Sequence, residues 1–99
     1  MELNTPQGTL FAYTGAREHQ DQQQAVVFIH GTGMDHTVWV LPSRYFARHG
    51  YNVMALDLPA HGRSKGQPAP TIDAMAEAVI EAMTAANVAT AAIVGHSMG

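Results

Sequence analysis

The clearest signal of the fold is Ala91-Ala92-Ile93-Val94-Gly95-His96-Ser97-Met98-Gly99, the last nine residues of a 99-residue sequence. Residues 91–94 are small, apolar and partly β-branched, which is typical of a strand buried on both faces of a sheet. A G-x-S-x-G pattern follows directly. Its two glycines permit a sharp, crowded turn that would lift the Ser97 hydroxyl above the end of the strand. The stretch therefore predicts an exposed serine at a strand-to-helix turn.

Other local signals predict the remaining strands. Pro6-Gln7-Gly8 is a turn signal between two short extended segments and predicts an antiparallel hairpin. The polar, glutamine-rich residues 17–24 predict an exposed loop. Continuous apolar runs predict buried strands. The predicted strands are 2–5, 9–14, 25–29, 51–56 and 91–94.

Two helices are predicted between these strands. The first runs from Pro42 to His49 and is closed by Gly50 as a left-handed cap. The second covers 72–86, with Thr71 as its N-cap and Asn87 at its end. Six apolar residues form one stripe of this helix, which we expect to pack on the sheet: Ile72, Met75, Ala76, Val79, Ile80 and Met83.

The order of these elements predicts the fold class. After the hairpin the order is strand, helix, strand, helix, strand, which implies an α/β fold with a mostly parallel sheet, helices on both faces and right-handed crossovers. Loops that leave the carboxyl ends of such strands share one edge, where ligands bind. Three loops meet this condition, beginning at His30, Asp57 and Gly95.

Composition limits the classes of partner. Hydrophobic residues make up 46% and charged residues 13% of the sequence, so the chain can form a core. A net charge of −3 without a basic run argues against nucleic acid and anionic membrane surfaces as partners. The absence of cysteine excludes disulfides and thiolate metal sites. Residues 1–4 lack the features of a signal peptide, and no apolar run is long enough to span a membrane, so we expect a cytoplasmic protein.

Three motifs together resemble the α/β-hydrolase family. Residues 28–33, followed by Trp39, look like its oxyanion loop; residues 56–64 are similar to its D-x-P-G-H-G-x-S loop; residues 95–99 resemble its nucleophile elbow. One departure is Ala60, where the family commonly has glycine; we expect little effect, on the condition that the backbone there keeps a negative φ. The resemblance implies the N-terminal part of one α/β-hydrolase domain, a three-layer sandwich, truncated at the elbow.

The resemblance also implies a mechanism without cofactor or metal. Ser97 would attack the carbonyl of a small ester-like substrate and form an acyl-enzyme. Backbone N–H groups of Met98 and of either Thr32 or Gly33 would hold the oxyanion; the sequence leaves both open. The catalytic acid and histidine would lie beyond Gly99, so this chain alone is expected to be inactive. Acyltransferases, haloperoxidases and carbon–carbon hydrolases share these motifs, whereas a serine disfavours the branches with an aspartate nucleophile.

Several residues are expected to support the site rather than react. We expect His30 to form hydrogen bonds around the oxyanion loop, Asp57 and Arg63 to tether their own loop, and His61 to be buried. The predicted supporting set is His30, Gly31, Asp57, His61, Gly95, His96 and Gly99. His19, His36 and His49, in contrast, are expected to be solvated.

Three alternatives remain at this stage. Gly31-x-Gly33 before a helix, with Asp57 ending the next strand, is compatible with an NAD(P)-binding Rossmann-type domain. His30, His61 and His96 share one sheet edge and could bind a metal, although their spacing is not that of a zinc pair. The chain could also be a non-catalytic binding module. Against this, its last strand would be an uncovered apolar edge, through which we expect the isolated chain to self-associate.

Overall fold

The fold is described from a computed structural model, which covers residues 1–6, 8–20, 22–31, 33–64 and 71–95. Five strands form one sheet in the order β1-β2-β4-β3-β5. Their bounds are β1 Glu2–Thr5, β2 Gly8–Tyr13, β3 Gln24–Ile29, β4 Tyr51–Asp57 and β5 Ala91–Gly95. The hairpin β1–β2 is antiparallel and β2 pairs antiparallel with β4, whereas β3 is parallel to both β4 and β5. The predicted hairpin is thus confirmed, and β3, β4 and β5 form the predicted parallel part of a mixed sheet.

Alternation along β3 and β4 separates the core into two layers, one on each face of the sheet. Val26 and Phe28 pack on one face with Val53 and Ala55, beneath helix α1 (Val40–Arg48). The residues between them point to the other face, beneath helix α2 (Ile72–Ala85). Because both faces of these strands are covered, their sequences are continuously apolar rather than alternating. Helices on both faces are therefore confirmed. The prediction that the last strand is buried on both faces is wrong, because β5 lies at the end of the sheet and residues 92–95 are exposed.

Helix α1 begins two residues before the predicted start. A 3₁₀ helix at His36–Trp39 leads directly into it, so Pro42 is the third residue of α1 and not the first. Proline is tolerated there because the first-turn N–H groups have no intrahelical acceptor. Gly50, at a φ of +89°, follows the helix as predicted.

Helix α2 has the predicted caps. The Thr71 hydroxyl accepts a hydrogen bond from the N–H of Ala74. At the other end Asn87 has a φ of +60°, and the N–H of Val88 donates to the Met83 carbonyl at 2.8 Å. These features form a left-handed closing turn with asparagine in the position that glycine usually occupies.

The predicted apolar stripe of α2 is only partly buried. The buried side is formed by Ala78, Val79 and Ala82, whereas Ile72 and Ile80 are 71% and 61% exposed. The prediction that the whole stripe packs on the sheet is therefore wrong. The exposed part faces an apolar groove of about 310 Å³ that runs between α2 and the β3–β5 edge of the sheet and reaches Ile93. Within the described residues no further element covers this groove.

No helix among the described residues is both long and apolar enough to cross a membrane.

Candidate functional site

The candidate site lies where β3, β4 and β5 end. Ile29, the last residue of β3, pairs with Leu56 on one side and with Gly95 on the other. The loops after these three strands therefore begin level with one another, at neighbouring positions along one edge. This confirms the convergence predicted for the loops at His30 and Asp57, and places Gly95 beside them. Of the predicted site, Thr32, His96, Ser97, Met98 and Gly99 lie outside the described residues.

Asp57 anchors the second loop from a fully buried position. Its Oδ1 accepts a hydrogen bond from the N–H of His36 at 2.6 Å, and its Oδ2 accepts one from the N–H of Arg63 at 2.9 Å. His36 Nδ1 also lies 3.0 Å from both carboxylate oxygens. A buried carboxylate requires such donors to offset its lost hydration. Asp57 thus holds its own loop, as expected of a tether, and also the 3₁₀ helix that follows β3.

Ser64 ties this loop to the hairpin. Its Oγ accepts the N–H of Phe11, in β2, at 2.8 Å and donates to the backbone carbonyl of Asp57. The guanidinium of Arg63 lies 5.0 Å from the centre of the Phe11 ring, within the range of a cation–π contact. The final serine of the motif therefore has a structural task, because its hydroxyl bridges the Phe11 N–H in β2 and the carbonyl of Asp57, the residue that pairs with Phe11 in β4.

Two histidines connect the loop after β3 to the loop after β4. His30 is fully buried; its Nε2 accepts the N–H of Leu58 at 3.0 Å, and its Nδ1 lies 2.7 Å from the Gly31 carbonyl. His61 is half-buried and not fully buried as predicted; its Nε2 accepts the N–H of Gly33 at 3.3 Å, and its Nδ1 lies 3.0 Å from the Pro59 carbonyl. The two rings are 5.0 Å apart. Both side chains therefore contact the candidate oxyanion loop or its neighbour directly.

Two observations describe the start of the candidate oxyanion loop. The N–H of Met34 donates to the Gly31 carbonyl at 3.1 Å, and Gly33 has a φ of +79°. Glycine adopts this left-handed conformation without the steric penalty that a side chain would bring. The Gly31 carbonyl consequently has two donors, Met34 N–H and His30 Nδ1, which fixes the start of the loop.

Ala60 is strained, contrary to expectation. Its φ is +66°, so the condition under which alanine would be harmless is not met. A left-handed alanine costs about 1–2 kcal/mol relative to the ordinary right-handed region. The loop adopts the conformation because the tethers at Asp57 and Ser64 fix its ends, and these tethers are not visible from the sequence around Ala60.

The three histidines predicted to be solvated all have partners. The His36 side chain contacts Asp57 and is 14% exposed, and its ring centre lies 5.0 Å from that of Phe11. His19 Nε2 is 2.9 Å from the Val53 carbonyl. Even His49, which is exposed, stacks on Tyr45 at 4.1 Å. Because these partners come from other elements or other turns, no local sequence signal would have found His36 as a residue of the Asp57 site.

One set of possible metal ligands occurs among the described residues, formed by Asp35, His36 and Asp57. Each already has a partner. Hydrogen bonds from the side chain and backbone N–H of Thr37 lower the pKa of Asp35, and the carboxylate of Asp57 accepts the bonds given above. The ring nitrogens of His30 and His61 are similarly occupied by backbone groups. The burial of Asp57 also leaves no carboxylate oxygen to bind a ribose, which counts against the dinucleotide alternative.

An open α/β sheet with converging loops at its carboxyl edge defines a class of small-molecule-binding enzymes. The chain belongs to the alpha/beta hydrolase family, whose model matches residues 26–99. The order β1-β2-β4-β3-β5 and the helices on both faces are therefore a part of the α/β-hydrolase fold.

Curated relatives and solved structures agree with this assignment. The chain is 35% identical over 81 residues to the (E)-2-((N-methylformamido)methylene)succinate hydrolase of Acinetobacter baylyi, covering 81% of this chain and 30% of that protein. It is also 42% identical over 77 residues to a dihydrolipoyllysine-residue acetyltransferase component of the acetoin cleaving system of Cupriavidus necator. That match covers 77% of this chain and 20% of that protein. Epoxide hydrolase A of Mycobacterium thermoresistibile superposes with a TM-score of 0.85 at 22% identity, over 100% of this chain and 31% of that one. At that identity the last likeness concerns the fold alone, and the chain spans less than a third of each of these proteins.

Proposed function

We propose that this chain carries the nucleophile and the oxyanion loop of a serine hydrolase that acts on a carboxylic ester or a related acyl or carbon–carbon substrate. The observation that carries the proposal is the level register of Ile29 with Gly95. Adjacent strands lie about 4.8 Å apart, so a serine two residues beyond Gly95 and the loop after His30 start from neighbouring strand ends. This is the placement that a nucleophile and an oxyanion donor need to reach the two sides of one carbonyl.

The proposed reaction has two steps. The Ser97 Oγ adds to the substrate carbonyl while its proton passes to a base, and the alcohol or other leaving group departs with a proton. Water then adds to the acyl-enzyme, which releases the acid and restores the serine. The base and its acid partner are expected beyond Gly99, in the family order of serine, acid and histidine.

The N–H of Met98 and that of Thr32 are the oxyanion donors we propose. The alternative donor, Gly33, already gives its N–H to His61 Nε2 at 3.3 Å. A donor of this kind contributes about 3 kcal/mol to lowering the barrier. The side chains at these two positions are not needed for this role, because the donor is the backbone N–H.

We further propose that residues 1–99 are the N-terminal portion of a larger single domain. The apolar groove beside α2 and the exposed side chains of β5, where Ile93 is 55% and Val94 38% exposed, are surfaces that a folded domain normally covers. The chain also spans only 20–30% of the curated relatives quoted above. Activity is therefore expected of the whole polypeptide, and the 99-residue chain alone is expected to be inactive.

The proposed nucleophile can be tested with a fluorophosphonate probe, which labels activated serines. We expect the natural polypeptide to be labelled once, at Ser97, as located by peptide mass spectrometry. The Ser97→Ala variant and the 99-residue chain should both remain unlabelled. Labelling at another serine would refute the assignment, and so would esterase activity that survives in Ser97→Ala.

The names of the two curated relatives are compatible with acyl chemistry, but they imply different acceptors for the acyl group. One is a hydrolase and the other an acetyltransferase component. An acyl-enzyme serves both outcomes, since the acyl group is passed either to water or to a second alcohol or thiol. Partition of the acyl group between water and an added thiol, measured with p-nitrophenyl esters, would distinguish them.

A further inference from the structure

His30 and His61 form a reciprocal connection between two loops. His30 directly follows β3 and accepts the N–H of Leu58, which belongs to the loop after β4. His61 belongs to that second loop and accepts the N–H of Gly33, which belongs to the loop after β3. Each loop therefore supplies one imidazole to the other, and the rings pack 5.0 Å apart at 45°.

The partners determine where the ring protons lie. A backbone N–H can only donate, so Nε2 of each ring must carry a lone pair. A carbonyl can only accept, so Nδ1 of each ring must carry the proton that points to Gly31 or Pro59. One neutral tautomer, the same in both rings, satisfies all four contacts. The other neutral tautomer would leave two N–H groups facing two backbone N–H groups.

The connection involves a peptide N–H of the candidate oxyanion loop. The Gly33 N–H belongs to a backbone segment at a φ of +79°, where glycine has a wide choice of conformations. His61 supplies the one described side-chain acceptor of that N–H. The other hydrogen bond given for this turn joins the Met34 N–H to the Gly31 carbonyl and does not involve the Gly33 N–H.

We propose that His61 is a positioning residue for the oxyanion loop, which it holds in one orientation by accepting the Gly33 N–H, while His30 holds the other loop in return. The proposal rests on the function proposed above for its catalytic consequence, but its structural part stands without it. His61 would not touch the substrate; it would act through the backbone of Gly33.

A pair of variants separates the acceptor from the ring. His61→Phe keeps an aromatic ring beside His30 but has no acceptor, whereas His61→Gln keeps an acceptor close to the Nε2 position. His49→Phe is the matched control for replacing a histidine with phenylalanine, because His49 is exposed and directly follows α1. All are made in the natural polypeptide.

The structural readout is amide exchange at Gly33, followed by NMR. We expect protection in the wild type, in His61→Gln and in His49→Phe, and loss of protection in His61→Phe. Unchanged protection in His61→Phe would overturn the connection. If that variant does not fold, the ¹⁵N shifts of the wild-type imidazoles decide: an unprotonated Nε2 in both His30 and His61 supports the connection, and a protonated Nε2 in His61 overturns it.

The catalytic readout is the hydrolysis of a p-nitrophenyl ester. We expect His61→Phe to lower kcat by roughly 10- to 100-fold with little change in KM, since a small displacement of a catalytic group has effects of this size. His61→Gln should recover most of kcat, and His49→Phe should retain it. Lost Gly33 protection with full kcat would overturn the positioning role. If His61→Phe loses protection at Gly33 but the wild-type polypeptide is not labelled by the fluorophosphonate at any serine, the connection stands and the proposed function is refuted.

Discussion

Gly62 is a position where one added methyl group would meet a buried, hydrogen-bonded carboxylate. Gly62 has a φ of +51°, and a Cβ built on it would lie 2.5 Å from Cγ and 2.7 Å from Oδ1 of Asp57. The carboxylate cannot simply move aside, because it is fully buried and held by the N–H groups of His36 and Arg63. Gly62→Ala must therefore shift either the loop or this buried anion.

The expected loss follows from three contributions. A left-handed alanine costs about 1–2 kcal/mol. Displacing the carboxylate sacrifices at least one hydrogen bond to a charged acceptor, which costs about 1.5–3 kcal/mol. The lower entropy of the unfolded alanine chain returns about 0.4–1 kcal/mol. The free energy of unfolding should thus fall by roughly 2–4 kcal/mol.

Gly50→Ala is the matched control. Gly50 has a φ of +89°, but a Cβ there meets no heavy atom within 4 Å. Only the conformational strain applies, less the entropic gain, so the expected loss is about 0.5–1 kcal/mol. The difference between the two variants therefore isolates the clash with Asp57.

The assay is urea unfolding of the natural polypeptide and both variants, followed by the fluorescence of Trp39, which stacks on Phe28 in the core at 4.9 Å. The free energies are compared at a common m-value. A loss in Gly62→Ala no larger than that in Gly50→Ala would refute the account of Asp57 as a rigid, buried anchor.

Four further predictions follow from the same contacts. Ala60→Gly should raise the urea midpoint, by up to about 1 kcal/mol in stability, because it relieves a φ of +66° at some entropic cost; a lower midpoint would contradict this. Ser64→Ala should cost roughly 1–3 kcal/mol in the same assay, because a backbone N–H of β2 loses its acceptor, whereas Ser64→Thr should recover most of it. Hydrogen bonds from the side chain of Thr37, and then from its backbone, lower the pKa of Asp35, so ionised Asp35 stabilises the fold fully above the ordinary value of 3.8 and loses this effect as the pH falls through the lowered pKa. The difference in stability between wild type and Asp35→Ala should therefore shrink over that acid range. A constant difference would exclude Asp35 as the titrating group. Finally, Ile93→Lys should reduce self-association of the 99-residue chain in sedimentation velocity, whereas Leu41→Lys, at a 76% exposed position on α1, should not; equal effects would rule out the β5 edge as the contact.

Much of the fold could be predicted because its signals are local. The hairpin of β1 and β2, the caps Thr71 and Asn87, and the glycine after α1 each depend on signals within a few residues, and all were predicted. The buried strands could be recognised because a strand covered on both faces must be apolar throughout. The convergence of the loops follows from the parallel order alone.

What failed depended on distant neighbours. The exposure of Ile72 and Ile80 is set by what covers the outer side of α2, and the helical period cannot report that. The conformation of Ala60 is set by tethers to other segments. His36 becomes a partner of Asp57 only because the 3₁₀ helix returns over the end of β4.

The class of the fold, the position of the serine motif after an apolar strand and the identity of the surrounding loops could be read from short segments, because hydrophobic period, turn residues and motif spacing are local properties. How the loops are held depends on contacts that form only in the folded chain. The buried carboxylate of Asp57, the bridging hydroxyl of Ser64 and the exchanged hydrogen bonds of His30 and His61 join residues 21 to 53 positions apart or cross from one loop to another. The physical reason is that a buried polar group must find a partner wherever the packed chain supplies one, and that partner is fixed by the fold rather than by its neighbours in sequence.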